Sequence, residues 1–306
     1  HADEIAQMGK NALIVTGRNS SKKNGSLDDV INALKSKNIK YTVYDGVEEN
    51  PSVETVMEAR EIGVKAGCDF IIGIGGGSPM DAAKAIGVMI YYKNENKDFL
   101  YKSVSNSQSL PVIEVPTTCG TGSEVTTVAV LTVHNEKTKK SMSHRIFPRM
   151  ALVDEKYIKN APLKVICDTA IDALAHIVES CINNNATEYS KMFAKEGLEA
   201  WSKFKDVLLG NREATDEDFH NMMYASTLAG MCIAHAGTSL PHGLSYPITY
   251  ELGIPHGKAV GYFLPGYINE ATDEDKEFVL KAAGFESVEE FSKFYKKACE
   301  IGRASC

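Results

Sequence analysis

The sequence predicts a two-part fold, in which an α/β half with a parallel sheet precedes an all-α half. In the first half, short apolar runs rich in β-branched residues alternate with stretches whose apolar residues recur at helical spacing. This alternation is typical of βαβ units. Beyond about residue 161, helical periodicity dominates. We therefore predict an α/β domain over 1–161 and a helical domain over 162–306.

The α/β half is predicted to contain four strands joined by right-handed helical crossovers. The run 70–74, Phe-Ile-Ile-Gly-Ile, is continuously apolar, as expected for a parallel strand that is covered on both faces. Pro51 and Ser52 introduce a helix, since both residues suit a helix start. The predicted strands are 12–15, 40–44, 70–74 and 111–115, and the predicted helices are 27–37, 53–62 and 79–86.

The second half is predicted to be helical except for one stretch. Residues 237–256 are rich in glycine and proline, and we expect them to interrupt the helices. The predicted helices are 165–183, 187–209, 215–236, 257–270 and 275–301.

Composition excludes several classes of protein. The net charge is −7 and no basic stripe is visible, so nucleic acid and anionic membranes are not expected partners. No apolar run reaches the ~18–20 residues of a membrane helix, and no signal peptide is visible. Seven scattered cysteines without a CxxC pair predict a reducing, cytoplasmic compartment. The chain starts at His1 and ends at 303–306 without an evident cap, so we expect a fragment of a longer protein.

A glycine-rich loop follows the third predicted strand. Its sequence is Gly75-Gly76-Gly77-Ser78, and Pro79 then opens a helix, where its missing N–H is not needed. Glycines let a phosphate approach the backbone, and a helix N-terminus offers free N–H groups and a positive dipole end. We interpret the loop as a pyrophosphate site, with a tight turn that binds nothing as the alternative.

A second polar loop, 116–124, follows the fourth predicted strand and contains four hydroxyl side chains and two glycines. In open α/β sheets, ligands bind beyond the carboxyl ends of the strands. Two such loops therefore predict one long ligand such as a dinucleotide, with an ordinary polar turn as the alternative. Cys119 in this loop is expected to be a packed thiol rather than a nucleophile.

The helical half contains a candidate metal site. Asp172 and His176 lie four positions apart, which places both side chains on one helix face. His242 and His256 each lie in a Pro-His-Gly unit. A carboxylate with three imidazoles suits Fe²⁺ or Zn²⁺. A salt bridge or hydrogen bond is the alternative for Asp172 and His176, because a buried carboxylate needs a partner.

Taken together, these segments resemble the iron-containing alcohol dehydrogenase family over nearly the whole chain. The matching segments are the glycine loop with Asp81, the loop 116–124, the run 151–154, the Asp172/His176 pair, and the stretch from His242 through His256 to Pro265.

The resemblance implies an N-terminal dinucleotide-binding domain and a C-terminal metal-binding domain. It implies an NAD(P)-dependent oxidoreductase that interconverts small alcohols with aldehydes or ketones at a divalent metal, Fe²⁺ first and Zn²⁺ second. Family members are commonly dimers or larger homo-oligomers. By position, the metal ligands are Asp172, His176, His242 and His256.

The resemblance also implies which residues bind the cofactor. Asp81 lies where the family has a residue near the nicotinamide, and Lys139 lies where one reaches the ribose. The remaining cofactor-binding positions carried over from the family are Gly75, Gly76, Gly77, Ser78, Pro79, Thr117, Thr118 and Thr121.

Two positions depart from the family pattern. Tyr246 occupies a position where many members have a further histidine, so we expect a phenol to contact substrate or relay a proton. Many NAD-preferring members have an acid after the first strand, where this chain has Gly17, with Lys22 and Lys23 beyond. This favours NADP(H) over NAD(H).

Other functions stay open at this point. A glycerol- or polyol-type dehydrogenase and a dehydroquinate-synthase type of lyase share the expected fold. A non-catalytic nucleotide-binding protein would retain the glycine loop but lose the metal ligands.

Overall fold

The computed structural model of the chain describes residues 1–301. The expected lack of a cap at 303–306 lies outside the described residues. The chain forms two compact units. The first comprises His1–Thr117 and Ser123–Tyr157, and the second comprises Thr118–Gly122 and the residues from Ile158 onward.

A parallel sheet forms the centre of the first unit, with strand order β2-β1-β3-β4-β7. Alternate residues of its strands point to two separate apolar clusters, Leu13 and Val15 to one and Ala12 and Ile14 to the other. Both faces of the sheet are therefore covered. The strands are β1 (Asn11–Gly17), β2 (Lys40–Val47), β3 (Phe70–Gly75), β4 (Val112–Pro116), β5 (Val130–Val133), β6 (Thr138–Ser141) and β7 (Met150–Ala151).

All four predicted strands are present, but three further strands were not predicted. β5 and β6 pair as an antiparallel ribbon. β6 has the sequence Thr-Lys-Lys-Ser and β7 has only two residues, so neither carries the apolar run that predicts a strand.

Helices cover the sheet of the first unit. The Ser52 hydroxyl caps α4 by accepting from the Thr55 N–H, and Gly67 ends that helix in the left-handed conformation. The helices are α1 (Ala2–Ile5), α2 (Ser20–Lys23), α3 (Ser26–Ser36), α4 (Val53–Ala66) and α5 (Gly77–Tyr91).

The second unit packs around α6, which contacts α7, α9 and α11. Trp201 is fully buried in its core, and the indole N–H donates to the Ala170 carbonyl at 2.7 Å. The helices are α6 (Leu163–Ile182), α7 (Glu188–Ser202), α8 (Lys205–Leu208), α9 (Asp216–Ala236), α10 (Leu240–Leu252), α11 (His256–Gly261), α12 (Leu264–Asn269), α13 (Asp273–Ala282) and α14 (Val288–Ile301). The structure confirms the predicted fold class.

The prediction that 237–256 interrupts the helices was wrong, because α10 lies within it. Pro241 lies in the first turn, where no intrahelical N–H bond is lost. Gly253 ends the helix in the left-handed conformation. Pro247 is the one proline in the interior of α10. Most of the residues that suggested a break therefore lie at the ends of α10.

Three predicted helices are each divided in two. The predicted 187–209 helix becomes α7 and α8, 257–270 becomes α11 and α12, and 275–301 becomes α13 and α14. The last break contains Gly284 with a φ of +70°, which favours glycine. Among the described residues, no helix has both the length and the apolar character needed to cross a membrane.

Candidate metal centre and nucleotide-binding loops

Three buried ionisable side chains lie along one face of α6. Asp172, His176 and Glu179 are spaced i, i+4 and i+7, and each is at most 6% exposed. The surrounding helix is apolar, so these side chains face polar groups outside α6, on α10, α11 and the 118–122 segment.

Three imidazoles converge on one carboxylate oxygen. Asp172 Oδ1 lies 3.8 Å from His176 Nε2, 3.5 Å from His242 Nε2 and 3.8 Å from His256 Nε2. The ligand atoms of Asp172, His242 and His256 lie within 4.8 Å of one another. The structure thus brings Asp172, His242 and His256 into one compact group, and His176 adjoins it through its contact with Asp172.

Each imidazole has its other nitrogen in contact with an oxygen. His176 Nδ1 lies 3.2 Å from the Gly120 carbonyl, His242 Nδ1 lies 2.5 Å from Glu179 Oε1, and His256 Nδ1 lies 3.4 Å from Ser245 Oγ. Such contacts orient the ring and leave Nε2 as the atom that faces the centre.

The charge state of the centre follows from burial and the carboxylates. Burial opposes ionisation of Asp172, but the three imidazoles outweigh it and hold the pKa of Asp172 below its usual range. Burial lowers the pKa of His176, which favours the neutral ring. Burial also disfavours the His242 cation, yet the Asp172 and Glu179 carboxylates raise the pKa of His242 to about 9. Asp172 is therefore an ionised carboxylate at neutral pH.

In the first unit, the glycine loop joins β3 to α5. Gly75 ends the strand with a φ of +153°, and a Cβ on it would lie 2.6 Å from Pro79 Cγ. Gly76 precedes α5 and supplies no side-chain cap, and Gly77 begins the helix. The first N–H groups of this 15-residue helix therefore have no side-chain acceptor at the cap position, as an anion-binding terminus requires.

Asn50 brings two of the predicted cofactor residues together. Its N–H donates to Ser78 Oγ at 3.0 Å, and its Oδ1 accepts from Lys139 Nζ at 2.9 Å. Asn50 has a φ of +57°, and its carbonyl accepts from Thr132 on β5. The glycine loop and the β5–β6 ribbon thus both contact one residue, Asn50, which sequence reasoning missed.

Asp81 joins α5 to Ser123 and to β5 within the first unit. Its Oδ1 accepts from Ser123 Oγ at 2.6 Å, and its Oδ2 accepts from the Val130 N–H at 2.8 Å. Burial raises the pKa of this carboxyl. Both oxygens serve bonds within the unit, and the expected contact of Asp81 with a nicotinamide stays a prediction.

The loop 116–124 is divided between the two units. Thr117 belongs to the first unit, and its buried Oγ1 makes no hydrogen bond. Thr118 and Thr121 belong to the second unit, where Thr118 Oγ1 is likewise buried without a hydrogen-bond partner. Buried hydroxyls without hydrogen-bond partners are available to bind a ligand.

The glycines of this loop permit close packing on helices. A Cβ on Gly120 would lie 2.6 Å from the Thr169 carbonyl oxygen, and one on Gly122 would lie 2.4 Å from Gly230 Cα.

Cys119 is 1% exposed, and burial raises the pKa of its thiol to about 11. The expectation of a packed thiol is confirmed.

The two departures from the family pattern lie in different units. Gly17 ends β1, and a Cβ on it would lie 3.5 Å from the Val47 carbonyl, an ordinary contact. Tyr246 lies on α10, with its ring stacked on His256 at 5.9 Å between centroids.

Comparison with known proteins agrees with the family resemblance. The family model for iron-containing alcohol dehydrogenases matches residues 1–155, and the model for the C-terminal domain of that family matches 166–293. The chain belongs to the iron-containing alcohol dehydrogenase family.

Individual relatives agree with the family assignment. A long-chain primary alcohol dehydrogenase of Thermoanaerobacter ethanolicus is 33% identical over 84% of this chain and 65% of its own length. An NADPH-dependent butanol dehydrogenase of Clostridium saccharobutylicum is 31% identical over 97% of this chain and 74% of its own length. The chain thus spans about two thirds to three quarters of these relatives.

A solved structure shares the fold. The iron-containing alcohol dehydrogenase of Thermotoga maritima superimposes with a TM-score of 0.90 and 40% identity, over 97% of this chain and 82% of that chain.

The residues present fit the divalent metal that the family name implies. Asp172 Oδ1 and His242 Nε2 are buried, face each other at 3.5 Å and have no hydrogen-bond partner. Leaving two such atoms unsatisfied costs free energy, which a cation bound by both would offset. The donor set of one carboxylate and three imidazoles suits Fe²⁺ and Zn²⁺.

Sequence reasoning missed Glu179, which orients a candidate ligand. The signal was available, since Glu179 continues the spacing of Asp172 and His176 by one further turn in an otherwise apolar helix. The bond from His242 spans 63 positions in sequence, however, so its partner became visible only in the fold.

The two Pro-His-Gly units have different packing, which gives a matched pair of substitutions. A Cβ on Gly257 would lie 1.8 Å from the Asp168 carbonyl oxygen, whereas a Cβ on Gly243 meets nothing within 4 Å. We expect Gly257→Ala to displace α11 and His256 and to lower metal affinity by about 10-fold or more. Gly243→Ala should retain wild-type affinity in the same chelator-competition titration. Equal affinity of the two variants would contradict this prediction.

Proposed function

We propose that this chain carries the catalytic machinery of a metal-dependent oxidoreductase that interconverts an alcohol with an aldehyde or ketone, using NAD(P)(H). The observation that carries the proposal is the convergence of three Nε2 atoms on Asp172 Oδ1. The relatives named above, an alcohol and a butanol dehydrogenase, support this reaction over the glycerol-type and non-catalytic alternatives.

In this proposal, Asp172, His176, His242 and His256 hold the metal. A bound divalent ion would supply Lewis-acid polarisation of the substrate oxygen, and a nicotinamide would supply or accept the hydride. Because an imidazole binds a metal only in its neutral form, metal binding would release the His242 proton. One carboxylate and three neutral imidazoles would then carry a charge of −1, which would leave a divalent site positive and attractive to a partly negative substrate oxygen. Fe²⁺ is the proposed metal, with Zn²⁺ as the alternative.

The first unit is proposed to bind the dinucleotide. The uncapped start of α5 would take the pyrophosphate, with Gly75, Gly76, Gly77, Ser78 and Pro79 forming the loop. The contacts of Asn50 with Ser78 and Lys139 support a common site for these residues. Asp81, Thr117, Thr118 and Thr121 complete the proposed cofactor set.

The proposed activity is tested with purified protein, small aldehydes and NADPH. We expect metal-dependent oxidation of NADPH that a chelator abolishes and added Fe²⁺ restores. A protein that is loaded with metal but shows no turnover across the aldehyde panel would contradict the proposal.

We propose a preference for NADP(H) over NAD(H). Gly17 presents no carboxylate to a 2′-phosphate. A second carboxylate to consider is that of Asp45 on β2. It pairs with Lys22 at 2.5 Å, which partly neutralises its negative charge. The name of the C. saccharobutylicum relative, which includes NADPH dependence, supports this preference.

Gly17→Asp is expected to lower kcat/KM for NADPH by about 5-fold or more relative to NADH, since close like charges cost at least ~1 kcal/mol. The space beside Gly17 admits a side chain, so the variant should fold. Side-by-side kinetics with both cofactors provide the measurement, and Asp45→Asn serves as the control that removes a carboxylate instead of adding one. A strong wild-type preference for NADH would overturn the proposed preference.

Tyr246 is proposed to contact substrate or relay a proton. Its support is the stacking of its half-buried ring on His256, one of the four candidate metal ligands.

The remaining proposals concern organisation and location. We propose a dinucleotide-binding domain over 1–161 and a metal-binding catalytic domain over 162–306, assembled as a homodimer or larger homo-oligomer. A cytoplasmic location is proposed because the five buried cysteines among the described residues are free thiols, as a reducing compartment favours: Cys68, Cys119, Cys167, Cys181 and Cys232.

A further inference from the structure

His256 is the least enclosed of the four candidate ligands. Its side chain is 27% exposed, compared with 4–7% for His176, His242 and Asp172. It is also the first residue of α11, a helix of only six residues. A helix this short is not stable by itself, so tertiary contacts must set the position of His256.

A partly buried ion pair joins α11 to α6 beside the metal centre. Lys258 Nζ lies 3.7 Å from Asp168 Oδ1, and the two side chains are only 12% and 14% exposed. Asp168 precedes Asp172 by one helical turn, and Lys258 follows His256 by two residues. The Asp168–Lys258 and Asp172–His256 contacts therefore connect the same two helices side by side.

The C-terminal helix α14 holds α11 from another side. The Tyr295 hydroxyl donates to the Lys258 carbonyl at 2.7 Å. A Cβ on Gly261 would lie 2.5 Å from the Tyr295 ring and 2.6 Å from Ile171 Cγ2, so α11 is enclosed tightly between α14 and α6. Lys258 is thus fixed at its side chain by Asp168 and at its backbone by Tyr295.

We propose that Lys258 is a positioning residue for metal binding, which acts through His256 and depends on Asp168 and Tyr295. This inference rests on the proposed function, in which His256 is a metal ligand. Removing the ammonium would leave the Asp168 carboxylate buried without this partner and release one of the contacts that set α11.

The test uses four single variants of the whole chain: Lys258→Met, Lys258→Arg, Tyr295→Phe and the control Lys191→Met. Lys191 pairs at 2.7 Å with Asp275, which is not a candidate ligand, and this pair joins α7 to α13 in the same unit. Fe²⁺ and Zn²⁺ affinities are measured by chelator competition, and thermal unfolding of the metal-free proteins is measured in parallel.

We expect Lys258→Met to weaken metal affinity by about 10- to 100-fold, the range for residues that support a ligand. Tyr295→Phe should weaken affinity by a smaller factor, and Lys258→Arg should restore most of it. Lys191→Met should lower the unfolding temperature of the metal-free protein without changing metal affinity. Tyr295→Phe removes only a hydroxyl, so it tests the proposal even where Lys258→Met fails to fold.

Two outcomes overturn the inference in distinguishable ways. Wild-type affinity in both Lys258→Met and Tyr295→Phe, or an equal loss in Lys191→Met, overturns the positioning role and leaves the proposed function intact. A wild-type protein that binds neither metal overturns the proposed function and this inference with it.

Discussion

Asp172→Asn is expected to abolish metal loading and, with it, alcohol–aldehyde interconversion. Asp172 is the one carboxylate among the four candidate ligands, and its Oδ1 is the atom on which all three Nε2 atoms converge. The amide preserves volume but removes the negative charge that attracts the cation. Because supporting residues alone account for about 10- to 100-fold in metal affinity, losing this ligand should cost more than about 100-fold.

The measurement combines metal content by mass spectrometry with chelator competition and steady-state kinetics. Asp275→Asn is the matched control, since Asp275 lies in the same unit and pairs with Lys191. The metal-free Asp172→Asn protein should unfold near the wild-type temperature, which separates loss of a ligand from loss of the fold. Normal metal content with full activity would contradict the assignment of Asp172.

Glu179→Gln is expected to lower metal affinity by about 10- to 100-fold while leaving all four ligands in place. Glu179 is fully buried. Its Oε1 accepts from His242 Nδ1, and its Oε2 accepts from both the N–H and the hydroxyl of Ser239. Both neighbours are donors, so a glutamine can satisfy only one side and must point its own NH₂ at the other. His242 would lose either its orientation or its hydrogen bond.

A double-mutant cycle sharpens the Glu179 experiment. If Glu179 acts through His242, Glu179→Gln should add little further loss of metal affinity in a His242→Ala background. Glu196→Gln, on the exposed face of α7, is the control and should leave affinity unchanged. Additive losses in the double variant would indicate that Glu179 acts through another residue.

Much of the α/β half could be predicted because its signals are local. Four strands of the sheet follow from apolar runs, and the glycine loop follows from its place between β3 and α5. β6 and the short β7 could not be predicted in this way, because their residues are polar or few. β5 has the apolar sequence Val-Leu-Thr-Val, a local signal that the sequence analysis missed.

Prediction of the helices in the second half is limited in the same way by its dependence on local signals. Periodicity correctly predicts α6 and α9, whose apolar residues repeat over 20 and 21 residues. It misses α10, because the proline and glycine content of 237–256 outweighs periodicity in a sequence-based prediction. Their positions near the helix ends make most of these residues compatible with a helix.

The sequence by itself determined the residue types and local spacing of the metal centre: Asp172 and His176 on one helix face, and two Pro-His-Gly units downstream. Only the tertiary structure decided that His242 and His256 meet Asp172, that Glu179 orients His242, and that Gly257 lies against α6 where Gly243 lies in open space. The physical reason is the separation in sequence between the residues that make contact. Helical spacing follows from a few neighbouring residues, whereas these contacts join residues 63 to 89 positions apart, whose approach depends on packing of the whole helical unit.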